Sequence, residues 1–260
     1  MHDVIAKQAV AKSFSDAAQD YDAFARFQHH LAETLLALCP DDQKQQVLDL
    51  GCGTGYCLPL LSLRYPIANI LGADLAPGML AWAKQQHPEF SYALADAENL
   101  PFAHQQFDMI FSNLAVQWCD DFSQVLAQAF KCLKPGGHFV LSTLADGTLQ
   151  ELKQAWAKVD QHQHVNQFDS EDALQDMIAT SGFQVEVCEV STMVDYHPDV
   201  RSLTDSLKRI GAHNITDGRA RGLTSPKSVK QFVQAIENHR QEQGLPASYR
   251  VLNCRLLKPL

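Results

Sequence analysis

The run Val47-Leu48-Asp49-Leu50-Gly51-Cys52-Gly53-Thr54-Gly55 leaves the chain few folds to choose from. Three apolar residues and an acid predict a short buried strand, and G-x-G-x-G then predicts a sharp turn into a helix. Glycine suits that turn because it reaches backbone angles other residues resist and lets a ligand approach the amides closely. Twenty-three residues past Gly51, a second predicted strand, Ala68-Asn69-Ile70-Leu71-Gly72-Ala73-Asp74, also ends in an acid. An acid there, beside a glycine turn after the first strand, is placed to hold a nucleotide ribose. The same residues also fit a plain tight turn with Asp74 capping the next helix. A dinucleotide fingerprint fits poorly, because Tyr56 takes its third small position.

From 46 to 143 strand and helix periods alternate. Strands are predicted near 46–50, 68–74, 90–95, 107–112 and 137–143, and helices near 55–64, 77–86 and 121–133. That alternation requires a parallel sheet with right-handed crossovers. Pro77 opens a helix where its missing N–H costs least, and Lys134-Pro135-Gly136-Gly137 is expected to stop a helix and turn the chain. Ala95-Asp96-Ala97-Glu98 closes the third strand and Asn113-Leu114 the fourth.

The flanks have another rhythm. Residues 3–38 read as two helices, the second with Phe24, Phe27, Leu31, Leu35 and Leu38 spaced by threes and fours. Tyr21, between them, is placed either to reach a ligand or to staple the junction. After Thr143 come a helix over 147–160, a polar loop with His162 and His164, a helix over 170–181 and a strand around Phe183–Val190. A helical segment from about 199 to 243 and a last strand near Tyr249–Leu257 follow. The expected organisation is an N-terminal helical lid segment (1–45), a core (46–143), and the rest of the sheet (144–260) carrying helical lid insertions at about 144–168 and 199–243.

A net charge of −9 argues against a general nucleic-acid binder. Seven cysteines, odd in number, scattered and without a C-x-x-C, read as buried free thiols of a reducing cytoplasm. No leader and no apolar run of about 18 residues is evident, so neither secretion nor membrane spanning is expected. The eleven histidines show no convincing metal-ligand spacing.

The glycine turn, Asp74, Asp96-Ala97 and Asn113, in that order, resemble the class I S-adenosylmethionine-dependent methyltransferases. The resemblance implies an α/β fold with a Rossmann-like, mostly parallel sheet whose last strand is antiparallel, helices on both faces and a helical lid over the strand carboxyl ends. It also implies S-adenosylmethionine as cofactor, held by Asp49, Gly51, Gly53, Gly55, Asp74, Leu75, Met79, Asp96, Ala97 and Asn113. In that scheme the glycine turn brings the amides at the start of the following helix against the cofactor's carboxylate, Asp74 takes the ribose hydroxyls, Asp96 the adenine amine, and Leu75 and Met79 pack on the ring.

The flanks are more specific. Ser112-Asn113-Leu114-Ala115-Val116-Gln117-Trp118-Cys119, Gly147-Thr148-Leu149-Gln150-Glu151-Leu152 with Ala155-Trp156 and His164-Val165-Asn166-Gln167-Phe168, and Ser206-Leu207-Lys208-Arg209-Ile210-Gly211-Ala212 with Asp217-Gly218-Arg219, joined by Tyr21-Asp22, resemble the BioC family. These are the malonyl-[acyl-carrier protein] O-methyltransferases of biotin synthesis. That resemblance implies methylation of a malonyl carboxylate carried on acyl carrier protein, with Lys208 and Arg219 as substrate contacts; Tyr21 and Gln117 are placed by position either to line the sulfonium pocket or to pack. A carboxylate is ionised at pH 7 and needs no general base, unlike a phenol or amine. Residues 201–230 hold seven basic residues (Arg201, Lys208, Arg209, Arg219, Arg221, Lys227, Lys230) against Asp205 and Asp217, a surplus of five positive charges suited to an acidic carrier. Two alternatives fit the core alone: a methyltransferase for another small acid, quinone or metabolite, and a non-catalytic cofactor-binding regulator.

Overall fold

The computed structural model describes residues 4–210 and 225–260. Seven strands form one sheet: β1 (Gln46–Leu50), β2 (Asn69–Asp74), β3 (Ser91–Leu94), β4 (Phe107–Asn113), β5 (Leu133–Ala145), β6 (Gln184–His197) and β7 (Leu245–Leu257). Their order is β3-β2-β1-β4-β5-β7-β6. The first five pair in parallel, and β7 inserts antiparallel between β5 and β6. The order reverses between β1 and β4, which opens a crevice at their carboxyl ends.

Successive strand residues point to opposite faces, and here both faces are covered. Leu48, Ile110, Phe139 and Leu141 pack with Val125, Leu126 and Ala129 of α6 (Phe122–Cys132) and Leu174 and Ile178 of α8 (Glu171–Thr180). Val47, Met109, Phe111 and Val140 pack on the other face with Ala32 and Leu35 of α3 (Arg26–Leu36) and Leu58 and Leu61 of α4 (Cys57–Arg64). A third core, formed by Leu149, Leu152, Phe232, Ile236, Tyr249 and Val251, joins α7 (Gln150–Ala157) and α10 (Pro226–Glu237) to β7. The lid thus buries apolar side chains of its own.

The structure departs from the sequence expectation in three places. The N-terminal segment is three helices, α1 (Val4–Ala17), α2 (Tyr21–Phe24) and α3, because the chain breaks at residues 18–20 and again at Ala25. Lys134-Pro135-Gly136 belong to a strand: β5 starts at Leu133, opposite Phe107, and the register shifts before Met109 pairs with His138. The carboxyl end of α6 is closed instead by Lys258, whose Nζ donates to the carbonyls of Phe130 (2.7 Å) and Leu133 (2.8 Å), a cation on orphan helix carbonyls. Finally, β6 runs to His197 and β7 begins at Leu245, both longer than expected. Residues 199–243 resolve into α9 (Val200–Arg209) and α10, with 211–224 outside the described residues.

All seven cysteines are free thiols. Cys188 and Cys254 face each other across β6 and β7, with their sulfurs 3.4 Å apart. Among the described residues no helix is long and apolar enough to cross a membrane.

Candidate functional site

At the crevice between β1 and β4 lies a cavity of about 110 Å³, lined among others by Gly51, Gly53, Asp74, Leu75, Met79, Asp96, Ala97 and Asn113. The glycine turn forms its floor. Gly51, Gly53 and Gly55 have φ of +76°, +53° and +87°, the left-handed region that favours glycine. At Gly51 space is also decisive, since a Cβ there would lie 2.1 Å from the Cβ of Ala115. Gly55 does not line the cavity; it lets the start of α4 approach Ala83 and His87 beside α5 (Pro77–Gln86).

The turn's own amides are bonded within the fold. Gly51 and Cys52 donate to the carbonyl of Ala73 (2.7 and 3.0 Å), Gly55 donates to that of Cys52 (2.9 Å), and Gly53 donates to Asp74 Oδ2 (2.9 Å). These four N–H groups are spent within the fold, so they do not form an anion cradle. Two acids stand at the turn, of which Asp74 lines the cavity and Asp49 lies behind it, outside the lining. Asp74 accepts from the Ala76 amide through Oδ1 (2.7 Å), a helix-entry contact the sequence allowed for. Two such bonds leave a carboxylate further lone pairs. Asp49 is buried, and its Oδ2 has no partner. Burial first, and the neighbouring Asp74 charge second, push the Asp49 carboxyl up to about 8. Burial raises Asp74 as well, against the amides that lower it. A buried acid beside a half-buried one suits a ligand rich in N–H and O–H donors.

Asp96 accepts from the Glu98 amide (2.9 Å), and its other oxygen is 2.7 Å from Lys7 Nζ, which also lies 2.6 Å from Glu98. Lys7, with Val10, Ala11 and Phe14, brings α1 across the cavity as a roof. Nothing in the local pattern marks Lys7, because its partners are 89 and more residues away. Asn113 lines the cavity but spends its amide on structure: Nδ2 donates to the Gln28 carbonyl (3.0 Å), and Oδ1 accepts from Ser142 (2.9 Å).

A second cavity, about 340 Å³, adjoins the first and contains Gln117 and Lys208. Phe14, Tyr21, Leu114 and Trp118 line both, so the two chambers share a wall. Tyr21 stands in that wall, and burial holds its phenol well above the usual range, hence neutral. The neighbouring Asp22 ties α2 to the glycine turn by accepting from Thr54 Oγ1 (2.8 Å), and it lies 3.2 Å from His29 Nε2. His29 stacks on Tyr56, 3.7 Å between ring centres. Leu114 and Leu149, both lining the larger chamber, hold φ of +49° and +52°, strained for leucine and found where surrounding packing over-determines the backbone. Trp156 is sandwiched between Phe232 (4.2 Å) and His164 (3.8 Å), and His164 Nε2 is 2.8 Å from Asp160. The sequence left His164 in a solvated loop; the loop folds inward, and that ring stack was not legible beforehand.

The basic surplus of residues 201–230 is partly neutralised. Arg209 pairs with Asp20 (2.7 Å) and lies over the Phe24 ring, and Arg201 lies 3.5 Å from Asp205. Arg219 and Arg221 lie outside the described residues. Among the described residues no group of three or more His, Cys, Asp or Glu is placed to hold a metal ion.

Comparison with known proteins agrees with this geometry. A methyltransferase-domain family matches residues 48–141. The solved structure of YcgJ from Bacillus subtilis superposes with a TM-score of 0.63 at 18% identity, covering 89% of this chain and 99% of that one. A putative methyltransferase complexed with the Trm112 activator of Haloferax volcanii gives 0.61 at 21%, covering 95% and 98%. Among curated sequences, the malonyl-[acyl-carrier protein] O-methyltransferase of Hahella chejuensis is 40% identical over 250 residues, covering 95% of this chain and 89% of that protein. That of Serratia marcescens is also 40% identical, covering 96% and 95%. The bifunctional biotin biosynthesis protein BioHC of Cellvibrio japonicus is 42% identical over 97% of this chain, which spans 50% of that relative's length. With a class I methyltransferase sheet, and with relatives this similar along nearly its whole length, the chain belongs to the malonyl-[acyl-carrier protein] O-methyltransferase family.

Proposed function

We propose that this chain transfers a methyl group from S-adenosylmethionine to the free carboxylate of a malonyl thioester on acyl carrier protein. The product is the methyl ester that starts pimeloyl synthesis for biotin, and a reducing cytoplasm suits its seven thiols. The observation that carries the reading is the wall shared by the two chambers: a small acceptor-rich one at the glycine turn and a larger apolar one beside it, meeting at Tyr21 and Leu114.

S-adenosylmethionine, when bound, supplies a methyl on a positively charged sulfur. The residues at the turn fit it: Asp49 and Asp74 offer acceptors to its ammonium and ribose hydroxyls, Asp96 to its adenine amine, and Leu75 and Met79 an apolar surface for the ring. Gly51 and Gly53 give it room, while Ala97 and Asn113 complete the wall and Gly55 sets the helix behind. On the other side, Lys208 offers a cation to the malonyl carboxylate, and Arg219 is proposed as a second. Tyr21, a neutral phenol, can donate a hydrogen bond but not take a proton. A carboxylate nucleophile asks for no base, so alignment and exclusion of water are what the chain must provide. We assign that task to a lid built from residues 1–45, 144–168 and 199–243 over the core at 46–143, with Gln117 beneath it.

Incubation of the purified protein with S-adenosylmethionine and malonyl-acyl carrier protein is expected to give the methyl ester, seen as a 14 Da gain from one added CH₂. Malonyl-CoA is expected to react more slowly. Absence of ester alongside tight cofactor binding would retire the acceptor while leaving the fold, and would favour another small acid or a regulatory role. Lys208→Ala is expected to lower kcat/KM for the carrier-bound acceptor roughly 10- to 100-fold, the size of a charge-assisted contact, with cofactor affinity nearly kept.

The Asp49 carboxyl supplies a pH test. Raised to about 8 in the free protein, it is mostly protonated at pH 6. A cationic, hydroxyl-bearing ligand favours the ionised form, so binding releases the proton. Cofactor affinity should therefore rise with pH, by up to about tenfold per unit, and level off near 8. Asp49→Asn should flatten the profile. Calorimetric titrations from pH 5.5 to 7.5 in two buffers of different ionisation heat read both quantities; a pH-independent affinity with no proton release would contradict the assignment.

A further inference from the structure

Two side-chain oxygens at the larger chamber lack partners. Gln117 Oε1 and Asn166 Oδ1 are both buried without a hydrogen-bond partner, and both residues line the cavity. The orientation of Gln117 is fixed, because its Nε2 donates to the Leu114 carbonyl at 2.7 Å; turning the amide over would set oxygen against oxygen. Asn166 is held by its neighbour Val165, which is buried in the lid core. One acceptor therefore comes from the turn after β4 and the other from the loop of residues 161–168. Buried acceptors are costly to leave unmade.

A malonyl group does not answer them. Its carboxylate and thioester carry only acceptors, and Lys208 is the charge that suits its anionic end. A three-carbon acid also falls far short of filling about 340 Å³. The arm tethering an acyl group to its carrier is different: a long, thin chain with two secondary amides, each offering one N–H. Its methylenes match the wall of Leu149, Leu152, Trp156 and Phe168.

We infer that Gln117 and Asn166 form a subsite for the amide N–H groups of that arm, so that the enzyme reads the tether as well as the acid it carries. The inference rests on the function proposed above. The test is a series of three malonyl thioesters: of pantetheine with two amides, of N-acetylcysteamine with one, and of an alkyl thiol matching pantetheine in length with none. With the unmodified protein, kcat/KM should fall roughly 5- to 10-fold for each amide removed, mostly through KM. Gln117→Met and Asn166→Leu should each shrink the preference for pantetheine over the alkyl thioester by a similar factor.

Wild-type indifference to the amides would overturn the subsite, as would variants that lose rate equally on all three acceptors. The wild-type series decides by itself if a variant misfolds. No methyl ester from any acceptor would overturn the proposed function, and the subsite with it, so the two failures read differently.

Discussion

Gly51→Ala is expected to be strongly destabilising, because among the described glycines its added methyl would meet the nearest neighbour. Gly51 has φ +76°, where an alanine is strained by about 1–2 kcal/mol. The added Cβ would also lie 2.1 Å from that of Ala115, well inside contact distance, so the ends of β1 and β4 must part. Strain and overpacking together should destabilise the protein by on the order of 3–5 kcal/mol, lowering the melting temperature by roughly 10 °C. Cofactor affinity should fall with it, because the floor of the smaller chamber moves. The double variant Gly51→Ala, Ala115→Gly removes the clash and keeps the backbone strain, and should recover most of the stability. Thermal unfolding of the three proteins checks this; a single variant as stable as the parent would show that the crevice tolerates the methyl.

Asp74→Ala is expected to weaken cofactor binding by about 1.5–3 kcal/mol, roughly 10- to 150-fold. Two losses combine. The ribose hydroxyls lose their acceptor, and the amides of Gly53 and Ala76, which donate to this carboxylate at 2.9 and 2.7 Å, lose theirs. The turn should loosen as well. Asp74→Asn keeps one oxygen and should fall between parent and alanine. Either change removes the charge that helps raise the Asp49 carboxyl, so the rise of affinity with pH should shift to lower pH. Equilibrium titration with S-adenosylhomocysteine reads all of this, and an unaltered affinity would take Asp74 out of the site.

The parallel half of the fold was legible because burial on both faces writes it into the sequence: Val47-Leu48 and Ile110-Phe111 are apolar whichever way they point. The glycine turn was legible for a related reason, since its conformation excludes most other residues. The antiparallel extension was not. Ser191–His197 continues β6 along the open edge of the sheet with most of its side chains half-buried or exposed, so no alternation marks it. Pro246 likewise disguises the start of β7, although it pairs with Tyr196. At the candidate site, residues next to a turn or strand end could be named from spacing, as with Gly51, Asp74 and Asp96. Lys7 could not, nor could the stack of Phe232, Trp156 and His164, because each is assembled from segments far apart in the chain. Gly55 shows the converse: its motif position pointed to the ligand, and its surroundings are helix packing.

The long β6–β7 pair governs the shape of the larger chamber. Tyr249 of β7 lines that chamber and stacks on Phe27 of α3 at 4.1 Å. One residue back, Ser248 bonds the buried Glu151 of α7 through its amide and hydroxyl. A one-residue slip between β7 and its neighbours would exchange these inward and outward side chains, turning the tyrosine away and freeing α7, while β1, β2 and their glycine turn stayed as they were. On the function proposed above, insertions in β6 or β7 should alter which acids are esterified without touching nucleoside recognition.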